Sequence, residues 1–229
     1  MKLNTNSNSY TIIYASGVVI VVAFLLAFVS MALKDRSDAN ERIDRQKQIL
    51  SSLNLRPDKS AVESTFAQVV KAAPIVNADG AEVKPDGGFD VQRKEISAAN
   101  LPVFICEVDG QTKYVLPLVG KGLWGTIWGY LALDDDCQTI YGAYFSHESE
   151  TAGLGALIAD RAFQDEFRGK KIHDDQGNYL SVIKKGSKPE HPEVECDGIS
   201  GATLTTNGVN SMLHDYLKMY ANYLSKLKK

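Results

Sequence analysis

The longest apolar stretch runs from Tyr10 to Leu33, where Val, Ile, Leu, Ala and Phe dominate and no residue is charged. A helix over that length crosses the ~30 Å hydrocarbon core of a bilayer. A cleaved signal peptide competes, with Ser30-Met31-Ala32 as its small-residue site. Signal cores usually span only about 7–15 residues, so a retained anchor is the better reading. The expected order is a tail over 1–9, a transmembrane helix over 10–33 and a juxtamembrane stalk over 34–56. Ile43, Ile49, Leu50 and Leu53 give the stalk loose heptad spacing. Pro57 is expected to end it, because the residue before proline disfavours helix.

Residues 57–229 carry mixed patterns. Ser60-Ala61-Val62-Glu63 matches a capping box and predicts a helix through Val69 or Val70. Residues 76–99 have few large apolar side chains and read as loop with short strands. Leu101–Val108 and Thr112–Val119 flank Asp109-Gly110, a hairpin signal. Gly122–Leu133 and Gln138–Ser146 continue as aromatic and β-branched strands. Helical spacing appears over Leu154–Phe167, and Tyr179–Ile183 reads as a further strand. From Thr205 to Leu227, Val209, Met212, Leu213, Tyr216, Leu217, Tyr220 and Leu224 recur at three- and four-residue steps, an amphipathic helix. Strands grouped together with helices at the ends predict an α+β domain, an antiparallel sheet flanked by helices.

Charge and composition remove several functions. A net charge of −3 argues against a nucleic-acid surface. The three cysteines, Cys106, Cys137 and Cys196, show no C-x-x-C spacing, so no zinc or iron–sulfur site is expected. One disulfide is open to them, and core thiols are the simpler expectation. His147, His173, His191 and His214 make no metal-ligand spacing and no nucleophile–base pair. Gly153-Leu154-Gly155 lacks the third glycine of a dinucleotide fingerprint. No hydrolytic machinery and no catalytic residue emerge.

Two segments carry chemistry. Asp197-Gly198-Ile199-Ser200-Gly201-Ala202-Thr203 is small and hydroxyl-rich and leads into the last helix. Unpaired N–H groups and a positive dipole end suit a phosphate there. The other is His147–Gly155, at a strand-to-helix junction, where Glu150 and Thr151 could equally cap a helix and the glycines merely turn the chain.

The heptapeptide resembles the flavinylation motif of the FMN-binding domain family, in which FMN is joined through its phosphate to the last threonine. Gly120-Lys121-Gly122-Leu123-Trp124-Gly125, Glu150–Gly155 and Ser200–Asn207 extend the resemblance to the flavin-carrying subunits of redox-driven membrane ion pumps. Ala152 stands where family members often have proline. The glycine–tryptophan element favours the branch serving sodium-translocating NADH:quinone oxidoreductases. The ferredoxin-linked branch and a flavin-free, membrane-anchored assembly module are the alternatives.

The resemblance implies a covalent phosphoester between FMN and Thr203, installed from FAD by a flavin transferase. Ser200, Thr205 and Thr206 are rival acceptors by chemistry alone. Trp124 and Leu154 would pack near the ring, and Glu150, Thr151 and Asn207 would meet its polar edges or the ribityl chain. Gly153, Ser200, Gly201, Ala202 and Thr206 complete the expected cofactor site, and Asp197 and Gly198 would serve transferase recognition. The implied protein is an electron carrier that acts only within its complex, among other membrane subunits in a bacterial inner membrane. The family places the N-terminus in the cytoplasm and the flavin domain in the periplasm. Lys34, Arg36, Arg42, Arg45 and Lys47 after the span favour the opposite, but that rule is weak for large domains.

Overall fold

The computed structural model describes residues 7–228. Of the expected tail, residues 1–6 lie outside the described residues, as does Lys229. Helix α1 spans Asn8–Ser52 without a break. Its apolar part has a mean hydropathy of 2.8 over its best window, with none of that window buried. Among the described residues it is the one helix long and apolar enough to cross a membrane. The chain through Arg45 forms one unit, and Gln46 onward forms another.

The helix ends before Pro57, for a local reason. Asn54 adopts φ 60°. Leu55 N–H donates to Leu50 O at 2.9 Å, and Asn54 N–H donates to Ser51 O at 3.0 Å. That is a Schellman closure with asparagine at the left-handed position. The capping box expected at Ser60–Glu63 is also absent. A 3₁₀ turn over Lys59–Ala61 leads into α2 (Val62–Val69), whose N-cap is Ala61 and makes no side-chain bond. The reciprocal box occurs at Gln92 and Glu95, where Gln92 N–H donates to Glu95 Oε2 at 3.0 Å.

The strands are β1 (Val70–Ala72), β2 (Ile75–Val76), β3 (Glu82–Lys84), β4 (Leu101–Pro102), β5 (Phe104–Val108), β6 (Gln111–Lys121), β7 (Thr126–Leu133), β8 (Ile140–His147), β9 (Ser181–Ile183) and β10 (Glu195–Asp197). The main sheet is antiparallel, in the order β1-β5-β6-β7-β8. Asp109 (φ 51°) and Gly110 (φ 76°) turn β5 into β6, as the Asp-Gly signal predicts. The expected strand over 101–108 divides at Val103: β4 joins β2 and β3 in a small sheet, and β5 joins the main one. The expected strand over 122–133 starts only at Thr126, because Gly122 N–H donates to Gly125 O at 2.8 Å and closes a turn. The small pair β9 and β10 is parallel.

Alternation divides β7 between two cores. Ile127, Leu131 and Leu133 face one cluster with Leu116 and Leu118 of β6. Helix α4 (Thr203–Leu227) covers that face through Val209, Met212, Leu213, Tyr216, Leu217, Tyr220 and Leu224. Trp128, Tyr130 and Ala132 face the other cluster with Ile49, Leu53 and Phe104. There Trp128 Nε1 donates to Gln48 Oε1 at 2.9 Å, and the Arg93 guanidinium lies 3.8 Å from the Trp128 ring centre. The continuous helix expected over 154–167 is broken. A 3₁₀ segment, Gly155–Ala159, stops at Asp160 (ψ 143°), and α3 (Arg161–Asp165) restarts the coil. The break still delivers Phe163 and Phe167 to Phe145, with ring centres 5.8 and 4.9 Å away.

The cysteines are free and buried. Burial pushes the Cys106 and Cys196 thiols up to about 12 and Cys137 to about 11. They are core residues, as expected.

Candidate flavin site

Three segments distant in sequence converge at the N-terminus of α4. They are the turn after β6, the loop after β8 and the first turn of α4 itself. A cleft of about 150 Å³ lies between them, lined by Leu123, Glu150, Thr151, Leu154, Gly155 and residues 201–205.

The turn after β6 is held by consecutive residues of the next loop. Glu148 Oε2 accepts from Thr126 N–H at 3.0 Å. Ser149 Oγ donates to Trp124 O at 3.1 Å. Glu150 Oε1 accepts from Trp124 N–H at 2.9 Å. The backbone N–H of Glu150 is fixed in turn by His147 Nδ1, at 3.2 Å. So held, the turn presents Leu123 and Trp124 to solvent, and Trp124 is 66% exposed. Leu154 and Leu204 are also exposed. Large apolar side chains standing out around a cleft mark a surface that expects a partner or ligand.

The N-terminus of α4 sorts the hydroxyls. Thr203 is the first helical residue, and it is exposed on the cleft. Thr205 is buried, and its Oγ1 donates to Glu150 Oε2 at 2.5 Å. Thr206 is buried as well, and its Oγ1 has no partner among the described residues. Ser200 is exposed but lies outside the cleft lining. Gly201, at φ 75°, makes the reversal that brings Thr203 round; most other residues would be strained there. Ala202 is the N-cap and offers no side-chain acceptor to the N–H groups that follow. These remain available to an anion, at the positive end of a 25-residue helix. Among the described residues, no Lys or Arg lines the cleft.

Glu150 lines the cleft, and each of its carboxylate oxygens accepts from a protein donor, Trp124 N–H on one and the Thr205 hydroxyl on the other. Burial pushes its carboxyl up. The Thr205 hydroxyl and the Trp124 and Leu123 amides outweigh that and hold it below the ordinary value. Thr151 and Leu154 line the cleft, and Trp124 stands beside it on the turn. Asn207 is exposed and outside the lining, and Gly153 (φ 75°) shapes the loop without lining the cleft. Asp197 accepts from Gly186 N–H at 3.1 Å and pairs with Lys185 Nζ at 2.9 Å, which holds its carboxyl low. Gly198 lies against the Ile183 carbonyl, where a Cβ would collide.

Sequence reasoning misses Leu123, Gly155, Leu204 and Thr205 as lining residues. All four lie inside the runs that carry the family resemblance, which is the signal that could have found them. Thr205 reads along the chain only as a rival acceptor, because no pattern pairs it with a residue 55 positions away.

The FMN-binding domain family matches residues 122–218, a span that contains every segment of this site. The C subunit of the Na(+)-translocating NADH-quinone reductase of Haemophilus ducreyi is 29% identical, over 99% of this chain and 97% of the relative. Its counterpart from Pseudomonas aeruginosa is also 29% identical, over 99% and 98%. Among solved structures, the same reductase component from Parabacteroides distasonis superposes with a TM-score of 0.79 at 40% identity, covering 84% of this chain and 97% of that one. NqrC of Shewanella oneidensis gives 0.73 at 25% identity, covering 83% and 99%. The chain therefore belongs to the family of Na(+)-translocating NADH-quinone reductase C subunits, built on the FMN-binding domain.

Proposed function

We propose that this chain is the FMN-carrying electron-transfer subunit of a Na(+)-translocating NADH-quinone reductase, anchored by α1, with FMN held as a phosphoester on Thr203 Oγ1. The observation that carries the reading is the sorting of hydroxyls at α4. Of the motif's four hydroxyls, only Thr203 is both exposed and on the cleft.

The residues present fit the group. The first-turn N–H groups of α4 suit a phosphate. The cleft, at about 150 Å³, is smaller than the roughly 300–1,000 Å³ of sites that enclose a ligand. A flavin nucleotide would thus leave much of itself over the open rim of Leu123, Trp124, Leu154 and Leu204. With no basic side chain among the described lining residues, ionic attraction alone would hold a phosphate weakly, which favours a covalent tether. Bound FMN supplies the electron-accepting chemistry, and the protein orients it and tunes its potential.

For attachment, Thr203 Oγ1 bonds to the flavin-side phosphorus of FAD as the phosphoanhydride bond breaks; AMP leaves with that bond's electron pair, and the threonine proton is released to solvent. A separate flavin transferase would perform that step, and Gly201 and Ala202 leave its approach open. Asp197 contributes by fixing the start of the motif against Lys185 and Gly186. The other membrane subunits of the complex are the expected partners of α1. The flavin domain would lie in the periplasm and the N-terminus in the cytoplasm of an inner-membrane protein.

The test is in-gel fluorescence of the full chain, co-expressed with a flavin transferase, beside Thr203→Val. A fluorescent wild-type band and a dark variant are expected. A dark wild type, with the transferase active on a control substrate, would sink the reading, and fluorescence in both would move the ester to another hydroxyl.

A further inference from the structure

We propose that Glu150 is the positioning residue of the flavin site: its buried carboxylate locks the Leu123–Trp124 turn to the first turn of α4, and its charge disfavours reduction of the bound flavin. This rests on the reading that FMN occupies the cleft.

Three observations support the lock. Glu150 is 7% exposed, and its carboxylate receives Trp124 N–H on one oxygen and Thr205 Oγ1–H on the other. These donors come from segments some 26 and 55 residues away. They carry Leu123, Trp124 and Leu204, while Leu154 follows on the Glu150 loop itself. Glu148 and Ser149 also clasp the turn, but Glu150 is the member of the clasp that bonds to α4 as well. A carboxylate suits the place because every group facing it here is a donor and it only accepts. Room has been made for it. A Cβ on Gly122 would stand 2.5 Å from Oε1, and one on Gly155 would stand 2.5 Å from Oε2.

The charge has a second effect. Reduction adds negative charge to the flavin, and a fixed carboxylate on the cleft wall opposes it. No Lys or Arg among the described lining residues cancels that field. A unit charge within about 10 Å, at an effective dielectric near 20, shifts a one-electron equilibrium roughly tenfold. Tenfold is about 59 mV for one electron.

Three variants of the full chain separate these roles. In Glu150→Gln the amide oxygen can still accept from the backbone and the NH₂ can donate to Thr205, so the lock is kept and the charge removed. In the flavin that is attached, the midpoint potential should rise by about the tenfold equivalent. Thr205→Val keeps the charge and removes one strut. Its potential should stay at the wild-type value, while amide exchange at Thr206, whose N–H is the first in α4 to find a backbone acceptor, and at Trp124 accelerates in the flavin-free protein. Glu150→Ala should accelerate the same exchange more and lower flavin attachment.

An unchanged potential in Glu150→Gln refutes the charge effect, as does an equal rise in Thr205→Val. Unchanged exchange in both Thr205→Val and Glu150→Ala refutes the lock. The exchange arm needs no flavin, so it stands apart from failure of the flavin reading, which would appear as an unlabelled wild type.

Discussion

Tyr220 is the place where a single atom can be weighed against the fold. Its side chain is fully buried under α4, and its hydroxyl lies 2.9 Å from Pro102 O and 3.2 Å from Pro117 O. The hydroxyl thus ties α4 to both β4 and β6. Tyr220→Phe removes this buried donor, shared between the two carbonyls, at a cost of about 1.5 kcal/mol near neutral pH. Burial also pushes the phenol well above its ordinary value, so the folded state keeps the proton that the unfolded chain loses. Wild-type stability from this group is therefore complete below about pH 10 and falls above it, by about 1.4 kcal/mol per pH unit. The phenylalanine variant has no such term. Other tyrosines and cysteines titrate in both proteins and cancel in the comparison. The deficit of the variant should be constant from about pH 7 to about 9.5 and vanish near pH 11, where the two effects are equal. Urea unfolding of full-length protein in detergent, at a series of pH values, measures the difference directly. A deficit that persists unchanged to about pH 11 would refute the argument, because it would mean that Tyr220 ionises as easily folded as unfolded.

Two further outcomes follow from local geometry. Asn54→Gly should be nearly neutral, whereas Asn54→Ala should lose about 1–2 kcal/mol in the same assay, because only the left-handed preference of position 54 separates them; both lose the side-chain bond to Tyr141 O equally. Thr206→Val should stabilise the flavin-free protein by about 1 kcal/mol, since it deletes a buried hydroxyl with no partner; a lower melting temperature would show that the hydroxyl is bonded.

Periodicity and motif chemistry make a large part of this protein legible, and neighbours distant in sequence decide the rest. The anchor, the Asp109-Gly110 hairpin and the apolar face of α4 depend on interactions within a few residues, so their patterns stand along the chain. The heptapeptide Asp197–Thr203 is legible for the same reason, being contiguous. Segments whose path is set by distant contacts carry misleading patterns. Gly122–Gly125 has strand composition, yet it turns because residues 148–150 clasp it. Residues 154–167 keep helical spacing but break at Asp160, and Phe163 and Phe167 still reach Phe145. Leu101–Val108 divides between two sheets because each half finds a different partner.

By itself, then, the sequence determined the anchor, the α+β class and the family motif, all of which are encoded by spacing and local propensity. Only the tertiary structure decided which hydroxyl faces the cleft and which donors Glu150 accepts from. Burial and hydrogen-bond partnership across 55 residues are properties of packed surfaces, and no window along the chain contains them.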